Sequence, residues 1–330
     1  MWAIVILCGY LIQCTSCLQV SPILGTQQFQ PSLTDCIFWR DADQSAYYTD
    51  YLTTGNQPSL YRYSPSENIT YGAYIPGYTK ISYLVPVSSS TYPTNDNLYM
   101  VGSGHSNVII SWNGIDTAAD VVEVLFQINA DIPNSHMDFG SQDPNGQFFV
   151  GTTQDAYCGA TTANSSLYTY VDGTVQTVIT GLMATTGVAF GLNGEIYHCD
   201  VCTGLVREIT KDSYGQYNAR VVFDFNDVGY EFPGWMTADT AGNLYIPLYD
   251  NGTLWQINPS TGTGVILTTL PLGATSANFV GNDRKTIYAV ISKILLDPVS
   301  LAVTGTSVGE ALISITGVDA TGVNYPKVNV

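Results

Sequence analysis

Few residue groupings in this chain have the chemistry of a reaction centre. The run His136-Met137-Asp138 sets an imidazole beside a carboxylate, the pair from which a metal-free general base is built. His198 and Cys199 with Cys202 have half the spacing of a zinc site, but no second Cys/His pair follows, so a disulfide is the preferred reading. Gly305-Thr306-Ser307-Val308-Gly309 spells a nucleophile elbow without the strand-to-helix context that motif needs, and it reads as a glycine-rich turn. No lysine-bearing phosphate loop and no dinucleotide fingerprint occurs.

Composition narrows the partners. Ten Lys and Arg stand against 27 Asp and Glu, a net charge of −17, so the clustered cations that nucleic acid or an anionic membrane would require are missing. A small-molecule ligand or a lactone is the expected partner, with no nucleic acid and no membrane insertion. Only 11 % of residues are charged and 45 % are hydrophobic, enough for a large buried core. The 31 Gly, 15 Pro and 23 Tyr favour strands joined by turns over helices.

The N-terminus reads as a targeting segment. An apolar run from Trp2 to Ile12 precedes small residues ending at Cys17, which is too short for a bilayer span and fits a signal peptide over residues 1–17. One secreted, extracellular domain over 18–330 is then expected. Cleavage leaves Cys36, Cys158, Cys199 and Cys202, enough for two disulfides in an oxidising compartment. Cys158 and the Cys199/Cys202 pair follow equivalent strands of adjacent modules, so one bridge is expected from Cys158 to either Cys199 or Cys202. Asn68, Asn164 and Asn251 begin N-glycosylation triplets in loop-like stretches.

The elements that must position these residues come from an internal repeat. A turn rich in Asp, Asn or Gly leads into an apolar residue, an aromatic and a β-prone pair, with the aromatic at Tyr47, Tyr99, Phe149, Tyr197, Tyr245 and Tyr288. The spacing is close to fifty residues, with a short apolar run before each copy and a second alternating strand after several. Six such modules of three or four strands predict an all-β, six-bladed β-propeller with its site at one mouth of a central channel. The first and last strands are expected to meet and close the ring.

Asp143-Pro-Asn-Gly-Gln-Phe-Phe-Val-Gly-Thr152, Thr186-Gly-Val-Ala-Phe190, Pro233-Gly-Trp-Met236, Asp239-Thr-Ala-Gly-Asn-Leu-Tyr-Ile246, Asn258-Pro-Ser-Thr-Gly262 and Leu312-Ile-Ser-Ile-Thr-Gly317 together resemble the regucalcin (senescence marker protein), gluconolactonase and luciferin-regenerating enzyme family. That resemblance, from about Asp35 to Gly322, implies a divalent metal held by Glu, Asn and Asp side chains, with Arg and Asn binding substrate. On this sequence the metal positions fall on Asp35, Thr186 and Gly234, and the substrate positions on His136 and Asp138. A carboxylate survives at Asp35, Thr186 offers only a neutral hydroxyl, and Gly234 offers nothing. Trp235 replaces a glycine beside the metal, so its indole is expected to project into the channel.

Two functions follow as expectations. The first is an extracellular binder of a small organic ligand at the channel mouth, with Trp235, Gly234 and His136 at the pocket, a degenerate metal centre and no cofactor. The second is a metal-dependent lactonase or esterase using one divalent cation, calcium by preference, with Asp35, Asp138 and His136 at the centre. Replacing Gly234 by Asp and Trp235 by Gly is expected to move the site back toward metal binding.

Overall fold

The computed structural model describes residues 18–33, 36–132, 134–160, 162–230, 232–307 and 309–330. The segment read as a signal peptide and Asp35 lie outside them. Six four-stranded antiparallel units follow one another as blades. Their innermost strands are Ile37–Arg40, Ile81–Ser88, Ser135–Gln142, Gly187–Phe190, Thr237–Ala238 and Ala274–Val280. Each touches the next around the ring, and Ala274–Val280 returns to Ile37–Arg40. The chain is a six-bladed β-propeller, as the repeat implied.

All six repeated aromatics lie on second strands, such as Ser45–Thr49, Leu98–Ser103 and Leu244–Leu248. Tyr47, Tyr99 and Tyr245 are fully buried in the interblade clusters. Each ring removes roughly 150–250 Å² from water, about 4–6 kcal/mol of gross transfer free energy. The turn ahead of them has a local cause as well. Asp143 Oδ1 accepts the N–H groups of Asn145 and Gln147, each at 2.8 Å, while Gly146 takes the left-handed φ of 83° that the tight turn needs. Asp239, Ala241, Asn243 and Gly242 repeat the same turn two blades later.

Closure occurs in the sixth blade. Gln19–Pro22 pairs antiparallel with Leu312–Thr316, which in turn pairs with Thr286–Ile291, so the outermost strand comes from the start of the domain. The chain then does more than close. Residues 318–330 cross the lower face, the side of the turns between first and second strands. Gly322 bridges Asp239, Tyr325 donates to the Phe190 carbonyl at 3.1 Å, and Gln142 donates to the Pro326 carbonyl at 2.8 Å. Val328–Asn329 ends parallel to Val87–Ser88 of the second blade.

On the upper face the connection after Ile291 carries an inserted hairpin, Ile294–Leu296 with Val303–Thr306. The glycine-rich turn read at 305–309 overlaps this hairpin, and the Ser307 amide donates to Lys293 at 2.8 Å. No helix among the described residues is long and apolar enough to cross a membrane.

Truncation after Glu310 removes the closing strand and should abolish any cooperative thermal transition. Truncation after Gly317 keeps that strand and loses only the crossing tail, so it should still unfold cooperatively, with Tm lower by roughly 5 °C or more. Circular dichroism melts of the two shortened chains check both outcomes.

Candidate functional site

His136 and Asp138 lie at the upper end of the innermost strand of blade three. The pairing register slips between Met137 and Phe139, a bulge that takes Asp138 out of the ladder. Both side chains are buried, His136 at 3 % and Asp138 at 1 % exposure. His136 Nδ1 lies 2.9 Å from Asp155 Oδ1, and Nε2 lies 3.7 Å from Asp138 Oδ1. Asp138 also accepts the hydroxyls of Thr153 and Tyr157, both at 3.0 Å. The Tyr51 and Tyr157 rings cover the imidazole at centroid distances of 5.2 and 5.8 Å.

Burial alone would drive the His136 pKa down. The nearby carboxylates of Asp138 and Asp155 outweigh it together and raise the pKa to about 9. Its hydrogen bond with His136 holds the Asp155 carboxyl below the usual range, helped by the charges of His136, Lys80 and His105. The imidazole is therefore cationic at neutral pH. Its Nδ1 is held by Asp155, while the buried Nε2 faces Asp138 at 3.7 Å without a hydrogen bond.

Around the channel axis above Trp235 lies a cavity of about 80 Å³, open to solvent and lined by Tyr157, Thr186, Phe232, Gly234, Trp235 and Thr275 among others. Leu296, Pro298 and Leu301 of the inserted hairpin complete its wall. Thr186 thus shares this lining with Gly234 and Trp235, some fifty residues further on. His136 does not line this cavity; Tyr157, whose hydroxyl bonds Asp138, stands in the wall instead, and this corrects the placing of His136 in the pocket. Tyr157, Phe232 and Leu301 have φ of 44°, 55° and 57°, left-handed backbone that bulky residues seldom adopt. Such outliers gather where a surrounding structure holds a site in shape.

Trp235 also lines a second cavity, below it, with Gln142, Asn278, Arg284 and Tyr325 of the tail. Its indole packs edge-on against Phe139 with centroids 4.7 Å apart, so it divides the channel. Gly234 is held close to the sixth blade, since the Trp235 amide donates to the Thr275 carbonyl at 2.8 Å. A Cβ on Gly234 would stand 2.3 Å from that carbonyl oxygen, so no side chain fits there without backbone movement. The Gly234→Asp route back to a metal ligand, attractive from the sequence, is closed sterically.

The cysteines divide differently from the expectation of two bridges. Cys158 bonds Cys202, linking the upper loops of blades three and four, while Cys36 and Cys199 are buried thiols. Burial pushes the Cys199 thiol up. Cys202 is thereby spent, and burial, with the nearby Arg207 charge, pulls the His198 pKa down to about 3, so the zinc half-site dissolves into core and disulfide. Tyr157, Asp155 and the hairpin were missed from sequence; the one signal pointing to Tyr157 is its place beside Cys158.

The His136 cluster sets a pH dependence. A pKa raised from 6.5 to about 9 contributes stability that is complete below pH 6.5 and is lost as pH rises through 9. At about 1.4 kcal/mol per pH unit this amounts to roughly 3 kcal/mol. Chemical denaturation of the wild type and of His136→Gln from pH 6 to 10 should show their stability difference shrinking across that window.

Comparison with known proteins agrees with this geometry. Residues 33–293 match the family model described as SMP-30/Gluconolactonase/LRE-like region. Regucalcin of Oryctolagus cuniculus is 27 % identical over 208 residues, covering 61 % of this chain and 69 % of its own length. Regucalcin of Homo sapiens is 26 % identical over 207 residues, covering 61 % and 68 %. Among solved structures, a luciferin-regenerating enzyme superposes with a TM-score of 0.81 at 21 % identity, covering 95 % of this chain and 100 % of the other. A calcium-binding regucalcin from Agrobacterium tumefaciens gives 0.73 at 15 % identity, with 95 % and 98 % covered. The closed ring, the meeting of Thr186 with Gly234 at its upper mouth, and a match that spans most of the domain have one meaning: this chain belongs to the SMP-30/gluconolactonase/LRE-like family.

Proposed function

We propose that this protein binds a small organic molecule at the upper mouth of the channel and that its centre no longer supports metal-dependent hydrolysis. The observation that carries the reading is Gly234. It stands where the family resemblance calls for a carboxylate, and the Thr275 carbonyl leaves no room for one. The remaining donors fit a hard cation poorly. Thr186 offers a neutral hydroxyl, and the Asp138 oxygens already accept from Thr153 and Tyr157 and face His136. No group of three or more His, Cys, Asp or Glu side chains converges among the described residues. An apolar wall beside an indole favours an organic ligand over a hydrated ion.

The Cys158–Cys202 bridge supports an extracellular setting, since such bonds persist in oxidising compartments. Asn68 and Asn164 are exposed, whereas Asn251 is half-buried and accepts from Thr253 of its own triplet at 2.6 Å. Expression through a eukaryotic secretory route should yield a chain beginning near Leu18 with glycans at Asn68 and Asn164. Intact mass before and after peptide N-glycosidase tests this.

Protein purified without chelator should carry no stoichiometric Ca²⁺, Mg²⁺, Mn²⁺ or Zn²⁺. One millimolar of any of these ions should raise Tm by no more than about 2 °C, because a site with Kd above that concentration contributes less than about 0.4 kcal/mol. Simple sugar lactones should be hydrolysed no faster than in buffer. A divalent ion retained through dialysis, with chelator-sensitive lactone turnover, would replace this reading with a calcium-dependent lactonase.

A further inference from the structure

The upper cavity carries a polar signature within its apolar wall. Thr186 Oγ1 and Thr275 Oγ1 both belong to the lining, and both are buried without a hydrogen-bond partner. Leaving a buried hydroxyl unpaired costs about 1–3 kcal/mol, and native structures keep few such groups. The two approach the same dipeptide from opposite sides. The Thr275 carbonyl accepts the Trp235 amide, and a Cβ on Gly187, next to Thr186, would lie 3.1 Å from Trp235 Cα. Both residues thus neighbour Gly234-Trp235 through their own or adjacent backbone and line the same cavity, and each hydroxyl is able to donate and to accept.

None of the described residues lining the cavity is charged. Of the charged groups described above, His136 is bonded to Asp155 and faces Asp138, so it offers an anion in the cavity no free partner. Both of those carboxylates are already turned to His136, and Tyr157 and Thr153 occupy Asp138 further, so neither offers a cation a free partner in the cavity. A sugar lactone would bring several hydroxyls to a wall with two unpaired ones and leave the rest unsatisfied.

We infer that the ligand is an uncharged, flat, mainly apolar molecule with a single hydrogen-bonding oxygen, a phenol or a ring carbonyl, seated between Thr186 and Thr275 against the Trp235 indole. This rests on the reading of the upper mouth as a binding site. The rings of Phe232, Tyr249 and Trp235 supply stacking faces, and the left-handed backbone at Tyr157, Phe232 and Leu301 keeps the wall in shape.

The test uses equilibrium dialysis of the full chain at pH 7 against four probes: 2-naphthol, naphthalene, 2-naphthoate and glucono-δ-lactone. 2-Naphthol should bind about tenfold more tightly than naphthalene or 2-naphthoate, and glucono-δ-lactone should not be retained. Thr186→Val with Thr275→Val should erase the advantage of 2-naphthol over naphthalene. The single Thr186→Val variant, expected to lose about half of it in free energy, serves if the double variant does not fold. Leu301→Lys, which puts a charge into the wall, should weaken both neutral probes. If neither neutral probe binds, or if Leu301→Lys changes nothing, the upper mouth is not the binding site and the underlying reading fails. If the neutral probes bind there but 2-naphthoate or the sugar lactone matches 2-naphthol, or the valine variants retain its advantage, the ligand class is wrong while the site stands.

Discussion

The antiparallel seam between Gln19–Pro22 and Leu312–Thr316 is the contact on which every other position in the molecule depends. A blade buries its faces only against its two neighbours, so an open seam exposes two apolar faces at once. The channel exists only as the space inside six first strands. His136 on the third blade, Gly234 ahead of the fifth and Thr275 at the start of the sixth hold fixed relative positions because the ring between them cannot spread.

Within that ring the upper mouth is made of loops, and buried carboxylates hold them. Asp50 accepts the amides of Ser32, Leu33 and Leu52, tying the chain that enters the first blade to a loop of that blade. Asp200 accepts those of Met183, Cys202 and Thr203, joining the exit of blade three to blade four beside the disulfide. Burial raises both carboxyls, and the amide hydrogen bonds pull them back toward ionisation. The inserted hairpin docks on the same framework. The Lys293 and Ile294 amides donate to the carbonyls of Pro31 and Ser32, and the Cys158 amide donates to Pro298. These two carboxylates are thus occupied with backbone, and Asp138 with the hydroxyls of Thr153 and Tyr157.

The fold was legible because each module repeats the same local physics. An Asp or Asn caps a turn, an aromatic follows on the second strand, and the period counts the blades. The meeting of Thr186, Gly234 and Trp235 was legible through the family resemblance. What stayed hidden was long-range and non-periodic. Choosing between Cys199 and Cys202 required knowing that Cys199 lies within the strand Ile196–Asp200 with its thiol in the core, while Cys202 sits in the turn beyond it. The Asp155 partner of His136 lies in a loop with no repeat to mark it. That Gly234 is pressed against Thr275 is a fact about two blades, and a single motif carries no trace of it. Asp35, the one metal position that kept a carboxylate, lies outside the described residues.

The tail across the lower face has a consequence for exchange. With Tyr325 bonded to Phe190, Val328–Asn329 bound to the second blade and the Trp235 indole between the two cavities, the channel is a blind well rather than a pore. Water displaced by an incoming molecule has to leave past that molecule, through the same opening beside the hairpin. Entry and escape then share one narrow path, so a tight fit at the floor slows arrival as well as departure.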